Sequence, residues 1–429
     1  MMRMMRSQDV TYEDYKTPEI EADNQVDSAV DAIIADVRAR GDMALIDYAA
    51  RFDRAAIDCV LVSEDEIEEA YEAADPALIE ALVGAHDQIE NFHKHQIRNS
   101  FVISEQAGVT LGQRVIPLKR VGLYVPGGTA AYPSSVLMNA VPAKLAGVKE
   151  LIIATPPGKN GKINPAILVA AKIAKVDKIA KMGGAQAIAA LAYGTQSVGA
   201  VNKIVGPGNI YVATAKRKVY GQVDIDMIAG PSEILVIADS KSNPAHVAAD
   251  LLSQAEHDVH ASAILLTDSE GLAMAVASEI EKQLPALIRE DIARTSIDSN
   301  GKIIIVSDLN EAIEISNNIA PEHLEIMVDE PFALLGGVEN AGSVFLGRHA
   351  PEALGDYYAG PNHTLPTSGT ARFSSPLSVD DFVKKSQFIH YTKEALAGAK
   401  DAIATIAVAE GLTGHAKSAL IRFGEEDRV

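Results

Sequence analysis

The chain has 429 residues, of which 48% are hydrophobic, so it is long enough to bury more than one core. Its 58 acidic and 38 basic residues give a formal net charge of -20, which argues against nucleic acid or an anionic membrane as a partner. No stretch approaches the roughly 20 apolar residues of a membrane span, and the opening residues lack the apolar core of a signal peptide. We expect a cytoplasmic protein.

The single cysteine, Cys59, excludes an intramolecular disulfide and a cysteine-based zinc site. It lies in AIDCVLVS, which favours a short buried strand. A nucleophilic thiol is the alternative, but the segment contains no histidine. We therefore interpret Cys59 as structural.

The first part of the chain is predicted to be an arm followed by helices. Residues 1–23 are polar and show no clear period. Residues 24–53 carry a helical pattern, and Ser63 with Glu66 forms a capping box that opens another helix. Short β-rich runs follow and end in a glycine loop at 126–129.

Beyond this loop, strand and helix patterns alternate in two blocks. The first contains LIIATPP, KIAKMG and KIVGPG, and the second resumes with SAILLTDS and KIIIVS. This alternation predicts two Rossmann-like parallel α/β domains and a possible duplication. Neither block carries GxGxxG, so a dinucleotide would depend on turns such as Gly183-Gly184 and Gly206-Pro207-Gly208.

We divide the chain by these patterns. The predicted parts are an N-terminal arm (1–23), a first, discontinuous α/β domain (24–123 and 234–377), a second α/β domain (124–233) and a helical C-terminal tail (378–429). The tail is expected to be helical throughout. It has too little apolar variety for a core of its own, so it should dock on another surface.

Gln254 and His257 form a candidate metal-ligand pair. They lie three residues apart at the end of a predicted helix, so an amide oxygen and an imidazole nitrogen emerge together at one edge of its apolar face. Asp356 and His415 are candidate partners farther along the chain. The alternative is a polar helix end with a capping histidine.

Glu322 and His323 form a second candidate pair, at the junction between a predicted helix and a strand. Histidine can move protons near neutral pH, and an adjacent carboxylate can activate water. The alternative is an exposed turn with a charge pair. The long irregular segment 355–376 is also expected to be functional because of its length.

A series of segments, in this order, strongly resembles the histidinol dehydrogenases. They are RVGLYVPGGTAAYPSSVLMNAVPAKLAG, MGGAQAIAALAYGT, KIVGPGNIYVATAK, IDMIAGPSEILVIAD, DLLSQAEHD, APEHLEIM, EALGDYYAGPNHTLPTSGTARFSSPLSV and EGLTGHA. The resemblance spans nearly the whole chain after the arm. It implies oxidation of L-histidinol to L-histidinaldehyde and then to L-histidine with two NAD, the last step of histidine biosynthesis, by an enzyme with one Zn²⁺ per subunit.

The resemblance also implies the roles of individual residues. The family's metal ligands correspond to Gln254, His257, Asp356 and His415. Asp356 is their only anion, which leaves a site charge of about +1 that suits neutral nitrogen donors of the substrate. His260 and His363 are interpreted as polar neighbours.

The family's catalytic pair corresponds to Glu322 and His323, in the first α/β domain with the metal ligands. His323 would accept the alcohol proton, and Glu322 would activate the water that attacks the aldehyde. The implied substrate contacts are Ser232, Gln254, His257, His323, Asp356, Glu410 and His415. The implied NAD contacts, in or next to the second α/β domain, are Tyr124, Gln186 and Asn209.

The resemblance further implies a homodimer in which the C-terminal tail is exchanged, so that Glu410 and His415 enter the active site of the other subunit. One alternative is a sister NAD-dependent dehydrogenase acting on another polar primary alcohol, against which Glu410 and the intact GLTGHA segment argue. Another is a zinc hydrolase with Glu322 as the base, which would need no NAD.

Overall fold

The structure is a computed structural model that describes residues 2–11, 24–127, 131–228 and 230–428. It divides into two compact units, Met1–Gln96 with Leu118–Phe382 and Ile97–Pro117 with Val383–Val429. Part of the predicted arm (12–23) and part of the predicted glycine loop (128–129) lie outside the described residues. No helix in the described ranges combines the length and the apolar character needed to cross a membrane.

Strands and helices alternate along most of the first unit, as the sequence predicted. The described strands are β1 (Arg3–Arg6), β2 (Phe101–Ile103), β3 (Val109–Pro117), β4 (Arg120–Tyr124), β5 (Glu150–Thr155), β6 (Lys178–Lys181), β7 (Lys203–Val205), β8 (Asp224–Ile225), β9 (Glu233–Ala238), β10 (Ser262–Thr267), β11 (Lys302–Ile305), β12 (His323–Met327), β13 (Ser343–Leu346) and β14 (Val383–Tyr391). The described α-helices are α1 (Asn24–Arg40), α2 (Asp42–Tyr48), α3 (Glu64–Glu72), α4 (Pro76–His93), α5 (Pro133–Ala146), α6 (Pro165–Ile173), α7 (Gly184–Tyr193), α8 (Ile210–Val219), α9 (Pro244–Ala255), α10 (Glu270–Gln283), α11 (Glu290–Asn300), α12 (Leu309–Ile319), α13 (Pro331–Leu335), α14 (Glu352–Tyr357), α15 (Lys393–Ala409) and α16 (Thr413–Leu420).

The first parallel sheet has five strands in the order β6-β5-β4-β7-β8. Counted from β4, this is 3-2-1-4-5, the order of a Rossmann fold. Apolar runs such as LIIAT are buried on both faces, as parallel strands covered by helices require. Helices α1, α2, α7 and α8 cover one face, and α3 to α6 cover the other.

The second parallel sheet has six strands in the order β1-β11-β10-β9-β12-β13. Counted from β9, it repeats the order 3-2-1-4-5 and adds β1 outside the third strand. Helices α9, α10 and α11 cover one face, and α12 covers the other. Both Rossmann-like sheets are thereby confirmed, and their shared order is what a duplication predicts.

Arg3–Arg6, within the predicted arm, is the edge strand β1. It pairs in parallel with β11, with Arg3 opposite Lys302 and Arg6 opposite Ile305. Four residues are too few to show an alternating pattern in the sequence. The arginines at both ends of the strand suit a sheet edge that faces solvent. The start of the chain therefore extends the six-stranded sheet.

The second compact unit contains a three-stranded antiparallel sheet in the order β14-β3-β2. β14 pairs with β3 from Val383 opposite Pro117 to Tyr391 opposite Val109. The expectation of an entirely helical tail was wrong for Val383–Tyr391, because the strand that pairs with it is remote in sequence. The tail is helical, as predicted, in α15 and α16. Residues 97–117, which we had assigned to the first α/β domain, group with this unit.

Cys59 is exposed and lies in an irregular segment, so the prediction of a buried strand was wrong. Its neighbours Ile57 and Val60 occupy the buried positions. Leu61 then makes a single antiparallel bridge to Ala180. The apolar neighbours produced the strand-like pattern without burying the thiol.

Candidate active site

The predicted pair Glu322 and His323 lies at the amino end of β12, next to the start of β9. The backbone N–H of Glu233 donates to Glu322 Oε2 over 2.9 Å. The Glu233 carbonyl oxygen lies 2.9 Å from His323 Nδ1. Because a carbonyl can only accept, Nδ1 carries the proton and Nε2 keeps its lone pair. One residue of β9 thus orients both side chains.

Both members of the pair are buried, with His323 Nδ1 3.6 Å from Glu322 Oε2. Burial lowers the pKa of His323 to about 4, and it raises the pKa of Glu322 well above its usual range. Each group therefore favours its neutral form. His323 Nε2 is buried and has no hydrogen-bond partner within the described chain.

Two carboxyl groups of α14 face this free nitrogen. Glu352 Oε1 and Asp356 Oδ1 each lie 3.9 Å from His323 Nε2. One ligand-capable atom from each of the three residues lies within 4.8 Å of the others. Burial raises the pKa of Glu352 to about 8 and that of Asp356 to about 6.

Glu352 was not among the residues predicted from the sequence. Its Oε2 accepts a hydrogen bond from Ser253 Oγ over 3.1 Å, whereas Oε1 is buried without a partner. One available signal was its position four residues before Asp356, which places both carboxylates on the same face of a helix.

Gln254 and His257 reach the same edge of the sheet, because α9 follows β9 and returns antiparallel to it. Gln254 is buried, and its Nε2 lies 3.4 Å from His323 Nδ1. Its Oε1 is buried without a hydrogen-bond partner in the described structure. His257 is half-buried and close enough to lower the pKa of His323 electrostatically. The structure therefore brings Gln254, His257, Glu322, His323 and Asp356 together.

These donors fit a zinc ion. Zinc is bound in proteins by imidazole nitrogen and carboxylate oxygen, and the orphaned Oε1 atoms of Gln254 and Glu352 are costly to bury without a partner. The cluster of histidine and carboxylate ligand atoms at this site contains His323, Glu352 and Asp356, so it shares only Asp356 with the predicted ligand set.

His363 also lies beside Asp356, and both of its ring nitrogens have partners. Its Nδ1 lies 3.0 Å from the Asp356 carbonyl oxygen, to which it donates. Its Nε2 lies 3.3 Å from Ser135 Oγ. Burial lowers the pKa of His363 to about 4. These contacts support its interpretation as a neighbour of the site. His260 is exposed, and its backbone N–H donates to Asp258.

The predicted NAD contacts Tyr124, Gln186 and Asn209 line one cleft of 1090 Å³ at the carboxyl edge of the five-stranded sheet. Tyr124 Oη accepts a hydrogen bond from the Gly184 N–H over 3.0 Å, and burial raises the pKa of Tyr124 to about 12. The Asn209 side chain caps α8 by accepting from the Tyr211 N–H over 3.1 Å. A crevice at this edge is where a Rossmann sheet holds a nucleotide.

The turn at Gly206 follows β7 and lies against the end of β4, beside the cleft residue Tyr124. Its φ is +111°, and a Cβ there would lie 2.0 Å from the Tyr124 carbonyl oxygen, so only glycine fits. The Gly206 N–H donates to Asp226 Oδ2 over 2.7 Å, and Lys216 Nζ donates to the Gly206 carbonyl over 3.0 Å. Lys216 and Asp226 form a buried ion pair beneath the turn.

Comparison with known proteins identifies the family. The family model described as histidinol dehydrogenase matches residues 16–423. The chain belongs to the histidinol dehydrogenase family. Its relatives include a histidinol dehydrogenase from Listeria monocytogenes, 56% identical over 415 residues, which covers 95% of this chain and 97% of the relative. Another, from Clostridium acetobutylicum, is 55% identical over 399 residues and 93% of each chain.

A solved structure of the same family has the same fold. The crystal structure of histidinol dehydrogenase from Elizabethkingia anophelis matches with a TM-score of 0.93 and 39% identity over 98% of each chain. The fold predicted from the histidinol dehydrogenase resemblance is therefore confirmed.

The other predicted site residues, Ser232, Glu410 and His415, lie in two places. Ser232 is half-buried just before β9, and its carbonyl accepts from the Ser262 N–H over 2.9 Å. Glu410 follows α15 and His415 lies in α16, both exposed in the second compact unit. The roles of Glu410 and His415 stay predictions.

Proposed function

We propose that the chain oxidises L-histidinol to L-histidine through L-histidinaldehyde, using zinc and two NAD, as the last step of histidine biosynthesis in the cytoplasm. Family membership and the names of the relatives support the substrate. The observation that carries the chemistry is the buried lone pair of His323 Nε2, which faces Glu352 and Asp356 beside the orphaned Gln254 oxygen.

The proposed zinc ligands are Gln254, His257 and Asp356 of one subunit and His415 of the partner subunit. Bound zinc would hold the imidazole and amine nitrogens of the substrate and, as a cation, lower the pKa of nearby carboxyl groups, while NAD would accept the hydride in each step. In this arrangement Glu352 holds its carboxylate behind the ligand Asp356 and keeps its hydrogen bond to Ser253.

The first oxidation needs a base at the alcohol. The Glu233 carbonyl holds the proton of His323 on Nδ1, so Nε2 can accept the hydroxyl proton as the hydride leaves the carbon. The low pKa of His323 keeps this ring neutral and able to accept.

The second oxidation needs a water molecule at the aldehyde carbon. Glu322 Oε2 is fixed by the Glu233 N–H and lies beside the His323 ring. In its ionised form this carboxylate would take a proton from the attacking water, and the hydrated aldehyde would then give up the second hydride. One buried pair can thus serve both steps.

The other proposed contacts position the two substrates. Ser232, at the same amino edge, and Glu410 of the partner subunit would bind polar groups of L-histidinol. Tyr124, Gln186 and Asn209 would hold NAD in the cleft that they line.

We propose a homodimer because the second compact unit leaves much apolar surface exposed. Its own buried cluster contains only Ala404, Ala407, Ala416 and Leu420. Its exposed apolar side chains include Phe101, Val102, Ile389, Ile406, Leu412 and Ile421. Such a surface suits a second copy of the chain, whose tail would bring Glu410 and His415 to the site.

The reaction is tested by counting NADH per histidinol consumed. About two NADH should form, because the same site performs both oxidations. Formation of one NADH per histidinol, with release of the aldehyde, would contradict the second step. Hydrolysis that forms neither NADH nor histidine would favour a hydrolase. Faster turnover of another polar alcohol would favour the sister dehydrogenase. Complete removal of metal by a chelator should stop NADH formation, and added zinc should restore it.

The shared site is tested by mixing two inactive variants, His257→Asn and His415→Asn. If the tail is exchanged, a mixed dimer has one site with both defects and one with none. Random re-pairing makes about half of the dimers mixed, so roughly a quarter of all sites should recover. Activity that stays at the level of the single variants, after differently tagged chains prove exchange, would contradict the crossover.

A further inference from the structure

One wall of the proposed NAD cleft comes from outside the parallel sheet. It is the π-helical turn Ala49–Asp53, which follows α2. Arg51, Phe52 and Asp53 of this turn line the cleft together with Tyr124 and Gln186. Single π turns within helical segments are rare and are frequent at functional sites. The turn therefore places a carboxylate in a cleft proposed to bind a nucleotide.

The Asp53 carboxylate is incompletely satisfied. Its Oδ2 is buried and has no hydrogen-bond partner in the part of the chain that the structure describes. Burial raises the pKa of Asp53 to about 6, because no donor compensates the charge. Thr155 Oγ1, in the lining of the same cleft, is also buried without a partner there. Two polar atoms of one cleft thus lack partners that a bound molecule could supply.

The turn is held in place by its surroundings. Ala49 and Ala55, on either side, are fully buried, and the Ala55 N–H donates to the Ala49 carbonyl over 3.1 Å. Arg54 between them takes the left-handed conformation, with φ at 56°. Asp53 is therefore a fixed group, which lowers the entropic cost of binding a ligand to it.

The strand order shows which group of a dinucleotide this carboxylate would meet. In a Rossmann fold, an acidic residue at the end of the second strand accepts a hydrogen bond from the adenosine ribose. Here the second strand is β5, which ends at Thr155 and is followed by PPGK, without an acid. The sheet lacks its usual ribose acceptor, and the cleft contains Asp53 instead.

We propose that Asp53, assisted by Thr155 Oγ1, accepts a hydrogen bond from the 2′-hydroxyl of the adenosine ribose of NAD and thereby selects NAD over NADP. This inference rests on the proposed NAD-dependent function. A carboxylate that accepts from a 2′-hydroxyl repels a 2′-phosphate in the same place. Arg51 is the opposing group, since a guanidinium in this cleft would attract that phosphate.

The test is equilibrium binding of NAD, 2′-deoxy-NAD and NADP to the zinc-loaded protein, measured by calorimetry. Wild type should bind NAD about 10- to 100-fold more tightly than either analogue, the range expected for hydrogen bonds to a charged acceptor. Asp53→Asn should weaken NAD binding by a similar factor and leave 2′-deoxy-NAD binding unchanged, so the discrimination disappears. Thr155→Val should cause a smaller loss in the same direction.

Asp58→Asn is the matched control, because Asp58 is exposed, five residues away, and outside the cleft lining. It should bind all three nucleotides like wild type. Equal losses for NAD and 2′-deoxy-NAD in Asp53→Asn, or none for either, would overturn the ribose contact. If the wild type bound NADP more tightly than NAD, the residue of this turn that recognises the nucleotide would be Arg51 and not Asp53. If the wild type bound no NAD at all, the proposed NAD-dependent function itself would be contradicted.

Discussion

The two parallel sheets share a strand order but use opposite edges. In the five-stranded sheet the cleft opens at the carboxyl edge, beside Tyr124 at the end of β4. In the six-stranded sheet the candidate catalytic groups Glu322 and His323 stand at the amino edge. The order 3-2-1-4-5 predicts a crevice at the carboxyl edge in both sheets, and in the second sheet a side chain bridges this position.

The bridging side chain is Arg348. Its guanidinium donates to Asp239, which follows β9, with distances of 2.8 and 3.0 Å to the two carboxylate oxygens. It also donates to Asp329 after β12 over 2.9 Å and to the Met327 carbonyl over 2.7 Å. These contacts span the position where the strands diverge. Strand order therefore predicts where a crevice lies, and the side chains after the strands decide what occupies it.

The largest expected effect separates the two edges of the six-stranded sheet. His323→Asn should slow histidinol-dependent NADH formation by roughly 10²- to 10⁴-fold, because the variant lacks the free ring nitrogen that accepts the alcohol proton. Rates should be measured at saturating histidinol and NAD, so that the loss appears in kcat.

The matched variant is Arg348→Met, at the other edge of the same sheet. It removes both hydrogen bonds that Arg348 donates to the half-buried Asp239 carboxylate, so the free energy of unfolding should fall by about 1–3 kcal/mol. The kcat of the folded protein should stay within about twofold of wild type, since no proposed step uses this edge. A loss of kcat in Arg348→Met, with His323→Asn unaffected, would reverse our assignment of the edges.

A second prediction concerns the carboxyl edge of the five-stranded sheet. Lys216→Met removes one member of a fully buried ion pair and leaves Asp226 uncompensated, so the free energy of unfolding should fall by about 3–5 kcal/mol. Because Lys216 also holds the Gly206 carbonyl, the KM for NAD should rise in the protein that remains folded.

Lys203→Met is the control for this variant. Lys203 is buried in β7, but its partners Asp224 and Asp381 are partly exposed and can be solvated when it is removed. We expect a smaller stability loss and an unchanged KM for NAD. Equal effects of the two variants on this KM would mean that the clamp on Gly206 does not shape the cleft.

The sequence identified the parts of this architecture that depend on local patterns. Apolar runs and glycine turns predicted two parallel sheets, and the motif resemblance predicted most of the residues that meet at the amino edge. The Arg348 contacts were not predictable, because Asp239 and Arg348 are remote in sequence and look like ordinary surface charges. β14 was missed for a related reason, since its partner β3 lies more than 260 residues earlier.

The smallest expected effect tests whether the cleft desolvates Asp53. Its pKa is raised to about 6 in the folded chain, against about 3.9 for an unfolded aspartate, so folding favours the protonated form. The wild type should therefore lose stability relative to Asp53→Asn as the pH rises from about 4 to about 6, and the deficit should be small at pH 4 and complete by pH 8. Because Asp53 is partly exposed, we expect a deficit of about 1–2 kcal/mol at pH 8, below the value that the full shift implies.

Urea unfolding of both proteins at pH 4 and pH 8 measures this deficit. Subtracting the two pH values removes any constant effect of the substitution, and other titrating groups cancel between wild type and variant. Saturating NAD should stabilise wild type more than Asp53→Asn at pH 8, since the ribose 2′-hydroxyl would donate to the carboxylate. A deficit that does not change with pH would mean that water reaches Asp53 freely. Asp53 would then not be a desolvated carboxylate that replaces the acidic residue expected at the end of β5.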